Sequence, residues 1–316
     1  MKHNVKVTVI ILVMFLLTQF IGIYVVDYYS SVKVVQGKII EVESPDLPFG
    51  LETPDLKETG EFSQAFVSIL FAFVIAISLL LLLSRFRAEF FLKLWFFFVV
   101  VISLGISFNV FLFKLNSFNF LLLAMPISWF IALVFALVLS FVKIYGRDLF
   151  VHNLTELFVY PGIAAIFVPI LNIYTISLLL ILISVYDIWA VWHSGIMQKM
   201  AKFQIQKLKI FSGFFVPYVS KKVRLRLKKM KKSELKKKKI SVNVAILGGG
   251  DVVFPIIAAG VMLKTLGLFS AIFVIIGAAL GLSYLLFFSE KKKFYPAMPY
   301  ISAGIFLGIV LSYLVL

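Results

Sequence analysis

An all-α polytopic membrane protein is the fold class this chain of 316 residues predicts, and three observations carry it. Hydrophobic residues make up 62% of the sequence, with 35 Phe and a mean hydropathy of +1.05, well beyond what a soluble domain carries. Nine separate segments are apolar over the ~20 residues needed to cross a bilayer. The basic residues alternate from one side of those segments to the other.

The first segment runs from Val5 to Val26. It is too long for the core of a signal peptide and no small-residue cleavage site follows it, so it reads as a retained helix. The next four fall at Ser63–Ser84, Leu94–Phe113, Asn119–Val142 and Leu154–Leu171. The last four fall at Tyr174–Ser194, Val244–Leu263, Leu268–Ser289 and Pro296–Leu316. Only Leu171-Asn172-Ile173-Tyr174 separates the fifth from the sixth, the least distinct boundary in the series.

The formal charge of +16 suggests a nucleic-acid binder until it is located. Between Gly195 and Ile240 lie sixteen Lys and Arg against one acid, Glu234, while the rest of the chain is nearly balanced. A basic loop that follows a membrane span reads as a cytoplasmic segment lying against anionic lipid headgroups, and nucleic acid is not expected as a partner. With the N-terminus placed in the cytoplasm, 26 Lys and Arg fall on the cytoplasmic side and 5 on the other. The positive-inside rule therefore predicts a cytoplasmic N-terminus and a C-terminus outside. The one sizeable external loop, Asp27–Phe62, carries eight acids and three lysines, and Pro45, Pro48 and Pro54 interrupt it. It reads as a solvated cap.

Composition also removes chemistries. There is no cysteine, so disulfides, thiolate catalysis and cysteine metal sites are excluded. His3, His152 and His193 are scattered, with no His-Glu-x-x-His among them, which leaves a zinc peptidase without ligands. No metal or other cofactor is expected.

What stands out in the spans is a pair of acids. Asp187 lies in Ser184-Val185-Tyr186-Asp187-Ile188-Trp189-Ala190-Val191, and Asp251 follows Leu247-Gly248-Gly249-Gly250. A carboxylate in a membrane span costs a few kcal/mol and marks a functional site by default. Asp187 lies six residues before His193 at the end of the sixth span, and Asp251 eight residues after Asn243 at the start of the seventh. A helical rise of 1.5 Å puts both roughly 9–12 Å from the same membrane face. Antiparallel neighbours would bring the two carboxyls together at one depth, as an aspartic protease requires. Such a pair shares a proton. Its ionised member takes a proton from an attacking water, and its protonated member donates to the scissile carbonyl oxygen.

Three consecutive glycines, Gly248, Gly249 and Gly250, cost about 1 kcal/mol each within a helix. They fit either close helix packing or a backbone loosened so that an extended substrate can approach Asp251. Pro296-Ala297-Met298-Pro299 opens the ninth span. Two prolines in four residues hold its start non-helical and predict free carbonyls near the depth of the aspartates, where they would shape a substrate cleft.

Together, Tyr186-Asp187, Gly248-Gly249-Gly250-Asp251 and Pro296-Ala297-Met298 resemble the YD, GxGD and PAL motifs of the presenilin and signal peptide peptidase family of intramembrane aspartyl proteases. The likeness covers the nine-span layout and is strongest from Ser184 onward. Ser184–Val191 is closer to presenilin, whereas Asp251-Val252-Val253-Phe254-Pro255 is closer to signal peptide peptidases. The predicted orientation matches presenilin, and the compact chain is most similar to the microbial, archaeal homologues. Met298 stands where the family has Leu, a near-isosteric exchange. The resemblance implies catalysis by Asp187 and Asp251, with Tyr186, Gly248, Gly249, Gly250, Pro296, Ala297 and Met298 binding substrate or shaping the site. The expected partners are transmembrane proteins or peptides; homo-oligomerisation stays open.

The chain then divides into a five-span region, residues 1–171, with its acidic loop 27–62; the span 172–194 bearing Asp187; the basic loop 195–243; and a three-span region, residues 244–316. Glu156 is expected as an interfacial acid at the start of the fifth span, and Gln19, Ser107 and Asn109 as interhelical polar links. Gly277-x-x-x-Gly281 and Gly304-x-x-x-Gly308 predict close helix contacts. The apolar island Ile210–Val219 is too short to span, so it reads as an interfacial segment, or, borrowing from presenilin, as a plug over the site. Ile240–Val244 alternates β-branched and polar residues and fits a short strand to which substrate adds. The rival from another class is a proton- or cation-coupled transporter relaying through the same acids, but no inverted repeat supports it. A prepilin-type peptidase would leave Tyr186-Asp187 and Pro296-Ala297 unexplained.

Overall fold

The computed structural model describes residues 5–35, 37–51, 54, 56, 58–85, 89–112, 121–122, 125–146, 148–193, 212–218, 243–289 and 295–315. The lysine cluster at 221–239, and with it most of the basic loop, lies outside the described residues. Among these residues nine helices are long and apolar enough to cross a membrane. They are α1 (Val5–Tyr28), α2 (Thr59–Arg85), α3 (Glu89–Leu112), α4 (Ile127–Phe141, continued by a wider turn over Val142–Gly146), α5 (Leu149–Phe167), α6 (Ile173–Trp192), α7 (Gly249–Leu266), α8 (Leu268–Phe288) and α9 (Met298–Val315). The predicted nine-span bundle is the observed architecture.

Three two-stranded antiparallel sheets join it: β1 (Val32–Val35) with β2 (Lys38–Glu41), β3 (Leu121–Leu122) with β4 (Met125–Pro126), and β5 (Gly213–Tyr218) with β6 (Asn243–Gly248). The last sheet corrects two expectations. The seventh helix begins at Gly249 rather than Val244, because residues 243–248 are a strand. The described portion of the apolar island is a strand rather than an interfacial segment: it is β5, with Phe214 and Val216 buried in the main core beside Ala245 and Leu247 of β6.

Local chemistry sets the helix limits. Between α5 and α6 the boundary is fixed by a capping box at Asn172: its side chain accepts from the Thr175 amide at 2.9 Å, and Thr175 Oγ1 accepts from the Asn172 amide at 2.9 Å. Asp148 caps α5 through the amides of Phe150 and Val151. The exposed carbonyls at the other end of α5 receive Lys264 of α7, whose ammonium donates to Val168 O at 2.8 Å and Pro169 O at 3.3 Å.

The core gathers α1, α5, α6, α7, α8 and α9 around the completely buried α7 residues Val252, Ile256 and Val261. As predicted, Gly277 and Gly281 of α8 face Gly304 and Gly308 of α9: a Cβ on Gly304 would run into the Gly277 carbonyl, and one on Gly281 into the Tyr300 carbonyl. Without side chains the two backbones touch, which gains dispersion contact where the lipid supplies no hydrophobic drive. The expected polar links are also present. Gln19 of α1 donates to the Val252 carbonyl of α7 at 3.0 Å, and Ser107 of α3 to the Phe158 carbonyl of α5 at 2.6 Å. Asn109 of α3 joins the Tyr29 hydroxyl at 3.0 Å to Ser128 of α4 at 2.7 Å. By contrast, α2 packs little on the rest of the bundle and leaves Val67, Phe71 and Val74 bare on its surface.

Candidate active site

Asp187 sits five residues before the end of α6 and is buried, 7% exposed. One turn earlier, Ser184 Oγ donates to Leu180 O at 2.7 Å and meets Ser302 Oγ of α9 at 3.0 Å, pinning α6 to α9. Asp187 itself accepts from the Met298 amide at 3.0 Å, with the Ala297 amide also directed at it. The amides of a first helical turn have no partner within their helix. Asp187 therefore caps α9, with the positive end of that helix dipole at its carboxylate. The Pro296–Pro299 segment thus offers amide donors to Asp187, and the Ala297 carbonyl is taken by the Ile301 amide of α9. Pro296 and Pro299, lacking an N–H, leave Ala297 and Met298 as the donors, and the Met298 side chain is buried.

Asp251 is the third residue of α7, whose N-cap is Gly248. Its carboxylate turns back to the Gly248 amide, the half of a capping box that a third-position acid supplies. It is thus held at a helix start reached through β6, not eight residues into a helix as the sequence suggested. Asp187 and Asp251 nevertheless stand on helices that pack against each other, α6 and α7.

The three glycines differ. A Cβ on Gly248 would stand 3.2 Å from Asp251 Oδ2. One on Gly249 would press on Ser212 Oγ at 2.7 Å and the Tyr160 hydroxyl at 2.8 Å. One on Gly250 would make only ordinary contact, 3.6 Å, with the Phe254 ring. Packing accounts for Gly249, therefore, whereas Gly250 is exposed and unconstrained by close contact. Tyr186 is 43% exposed, rests 6.3 Å (ring centroids) from Trp189, and its hydroxyl has no hydrogen-bond partner among the described residues.

The β5–β6 sheet leads into Asp251. Its register pairs Gly213 with Gly248, Phe214 with Leu247, Phe215 with Ile246 and Val216 with Ala245. Gly249 N donates to Ser212 O at 3.2 Å, carrying the ladder one residue into α7. The backbone groups of Gly213 and Phe215 point away from β6, toward α5, where side chains receive them. By the alternation of an antiparallel ladder, Gly248, Ile246 and Val244 then point their backbone groups away from β5. Ile246 and Val244 have no backbone partner there, so among the described residues this edge of β6 is open.

Glu156 corrects its expectation. It is not at the start of its helix but two turns into α5 and completely buried, and its Oε1 accepts from Lys143 Nζ at 2.8 Å and from the Gly213 amide at 3.4 Å. His152 Nε2 lies 3.6 Å from the same oxygen and Tyr160 is directed at it from one turn further along α5. Sequence reasoning missed this group. The available signal was His152, Glu156 and Tyr160 at four-residue spacing, one polar line along an otherwise apolar span. Among the described residues no cluster of acids or histidines is suited to a metal.

Nine membrane-length helices among the described residues, two of them bearing an acid, point to a class, the intramembrane aspartyl proteases. The family described as signal-peptide peptidase, presenilin aspartyl protease matches residues 47–316, and the chain belongs to it. Two solved structures of a presenilin family intramembrane aspartate protease share the fold. The one in the C222 space group is 17% identical, with 98% of this chain and 99% of that chain covered and a TM-score of 0.57. The one in the P2 space group is 18% identical, with 97% of each chain covered and a TM-score of 0.58. No curated protein matches the sequence. The chain is an integral, multi-pass membrane protease of the aspartic type, and nothing favours the transporter.

Proposed function

We propose that Asp187 and Asp251 are the catalytic dyad and that they hydrolyse peptide bonds within the transmembrane segments of other proteins. What supports this reading is that the two acids cap the starts of two helices, Asp187 on the amides of α9 and Asp251 on the amide that opens α7, and that α6 packs against α7. In the sharing state one carboxyl is ionised and the other protonated. A water between them loses a proton to the ionised oxygen as it adds to the scissile carbonyl, whose oxygen takes the proton of the other carboxyl. Collapse of the resulting gem-diol breaks the C–N bond while the dyad returns a proton to the leaving amine.

A helical substrate must be unwound before its carbonyl is accessible, and the unwound backbone then needs partners in a medium without water. The open edge of β6 supplies them. A strand pairing with Ile246 and Val244 would satisfy its own amides and run toward Asp251, since β6 passes directly into α7. Gly250, exposed and free of close contact, Tyr186 and the Pro296–Met298 segment form further walls of the cleft. In this division of labour residues 1–171 are the scaffold, and residues 172–194 and 244–316 hold the chemistry.

The decisive experiment incubates the purified protein in detergent with a single-span reporter and reads the products by mass spectrometry beside an Asp251→Asn control. Cleavage inside the span, absent from the control, is the expected result. No cleavage, together with ion flux into liposomes that depends on both acids, would replace the protease reading.

The proposed orientation has a cytoplasmic N-terminus, with the 221–239 cluster against anionic headgroups and the 27–62 loop outside. Because the chain has no cysteine, a cysteine introduced at Ser233 reports cleanly. It should resist an impermeant thiol reagent applied to intact cells and react once the membrane is opened; labelling from outside would invert the topology.

A further inference from the structure

We propose that His152, Asn153 and Glu156 act as a surrogate strand, closing the outer edge of β5 and so fixing the position at which β6 presents substrate to Asp251. The proposal rests on the reading of β6 as the docking edge. An isolated two-stranded sheet has two open edges, either of which could accept a third strand. Here the outer edge of β5 is occupied by side chains of α5.

Asn153 does what a paired strand residue does. Its Oδ1 accepts from the Phe215 amide at 2.9 Å and its Nδ2 donates to the Phe215 carbonyl at 2.8 Å. Two residues back along β5, His152 Nε2 meets the Gly213 carbonyl at 2.8 Å and Glu156 Oε1 accepts from the Gly213 amide. The remaining outward position is Pro217, which has no N–H to satisfy. Every outward amide of β5 from Gly213 to Pro217 is thus taken or missing, and the sheet is left with one edge for a substrate.

The same contacts set where the sheet stands. Glu156 is itself fixed by Lys143 from the turn after α4, so β5 is tied through α5 to a second element. The ladder passes the constraint to β6, and Tyr160 and Ser212 hold Gly249 from the other side. Asp251 comes two residues later. These α5 residues are positioning residues: they touch neither the acids nor the open edge, and act through β5.

The test is Asn153→Ala in the purified full chain, with thermal stability, kcat and KM, and the termini of every product read by mass spectrometry. Loss of the two Phe215 bonds should lower the melting temperature, lower kcat/KM of the protein that remains folded about tenfold, and spread cleavage over neighbouring peptide bonds. Asn153→Gln retains both the amide acceptor and the amide donor on a side chain one methylene longer. It should restore part of the rate and narrow the spread, and it carries the test alone if Asn153→Ala does not fold. Wild-type rate and cleavage positions in these variants would overturn the proposal. So would a loss of activity that only follows loss of folded protein, with cleavage positions unchanged. Failure of the docking reading is separate: it would be seen in Ile246→Pro, whose change lies on the other edge.

Discussion

Asp187→Asn and Asp251→Asn should each lower cleavage of a single-span reporter about a thousandfold or more, while the protein stays folded and inserted. An amide neither takes the proton of the attacking water nor donates one as a carboxylic acid does. It does, however, keep a carbonyl oxygen. In Asp187→Asn that oxygen can still accept from the Met298 amide, and in Asp251→Asn from the Gly248 amide, so both helix starts remain capped. Alanine at these positions is a poorer probe, because an orphaned buried amide costs about 1–3 kcal/mol and mixes a stability loss with the chemical one. Thermal melts beside product analysis separate the two. Undiminished proteolysis in either asparagine variant would remove that residue from the reaction.

The second large effect is expected at the open edge of β6. Ile246 pairs with Phe215 but directs its own backbone groups outward, and its side chain is 42% exposed. Ile246→Pro removes one outward N–H and leaves the ladder to β5 in place, since proline is tolerated on an edge strand. Substrate cleavage should drop about tenfold or more in kcat/KM, through the lost main-chain bond and the adjacent ring, with little change in melting temperature. Ala245→Pro is the contrast. Ala245 is buried and faces β5, so proline there breaks the internal ladder and should destabilise the protein itself. If Ile246→Pro processes the reporter as the parent does, substrate does not add to this edge.

How much of this was legible in the sequence follows from which interactions are local. The nine spans were readable because hydropathy over about 20 residues is all that a membrane helix needs. The tight α8–α9 contact was readable from glycines at four-residue spacing, a local pattern, whereas the α5–α6 boundary stayed the least distinct because hydropathy does not register the Asn172–Thr175 capping box that sets it. The start of α7 was misplaced for the opposite reason. Val244-Ala245-Ile246-Leu247 is as apolar as a helix segment, and a short buried strand has the same hydropathy as the helix it precedes. What makes it a strand is β5, more than twenty residues earlier across the basic loop.

The acids were found by their rarity in apolar surroundings, but their helix-capping roles were not. The Asp187–Met298 bond joins residues 111 apart, and no spacing rule connects them. Glu156 was misread because its partners, Lys143 and Gly213, lie 13 and 57 residues away. Seen alone near the start of an apolar run, it resembles any interfacial acid. The line of His152, Glu156 and Tyr160 was visible, yet a polar line on a membrane helix does not say what it faces.

The claim on which the account turns is that Asp187 and Asp251 act on one substrate atom. Binding of a non-cleavable, hydroxyl-bearing mimic of the tetrahedral intermediate tests it most directly, because such a hydroxyl sits between both carboxyls and binds through the complementarity that drives catalysis. Its affinity for the purified protein should be high, and should fall steeply, by a similar factor, in Asp187→Asn and in Asp251→Asn. Affinity indifferent to one or both substitutions would mean that the two carboxyls do not share a site.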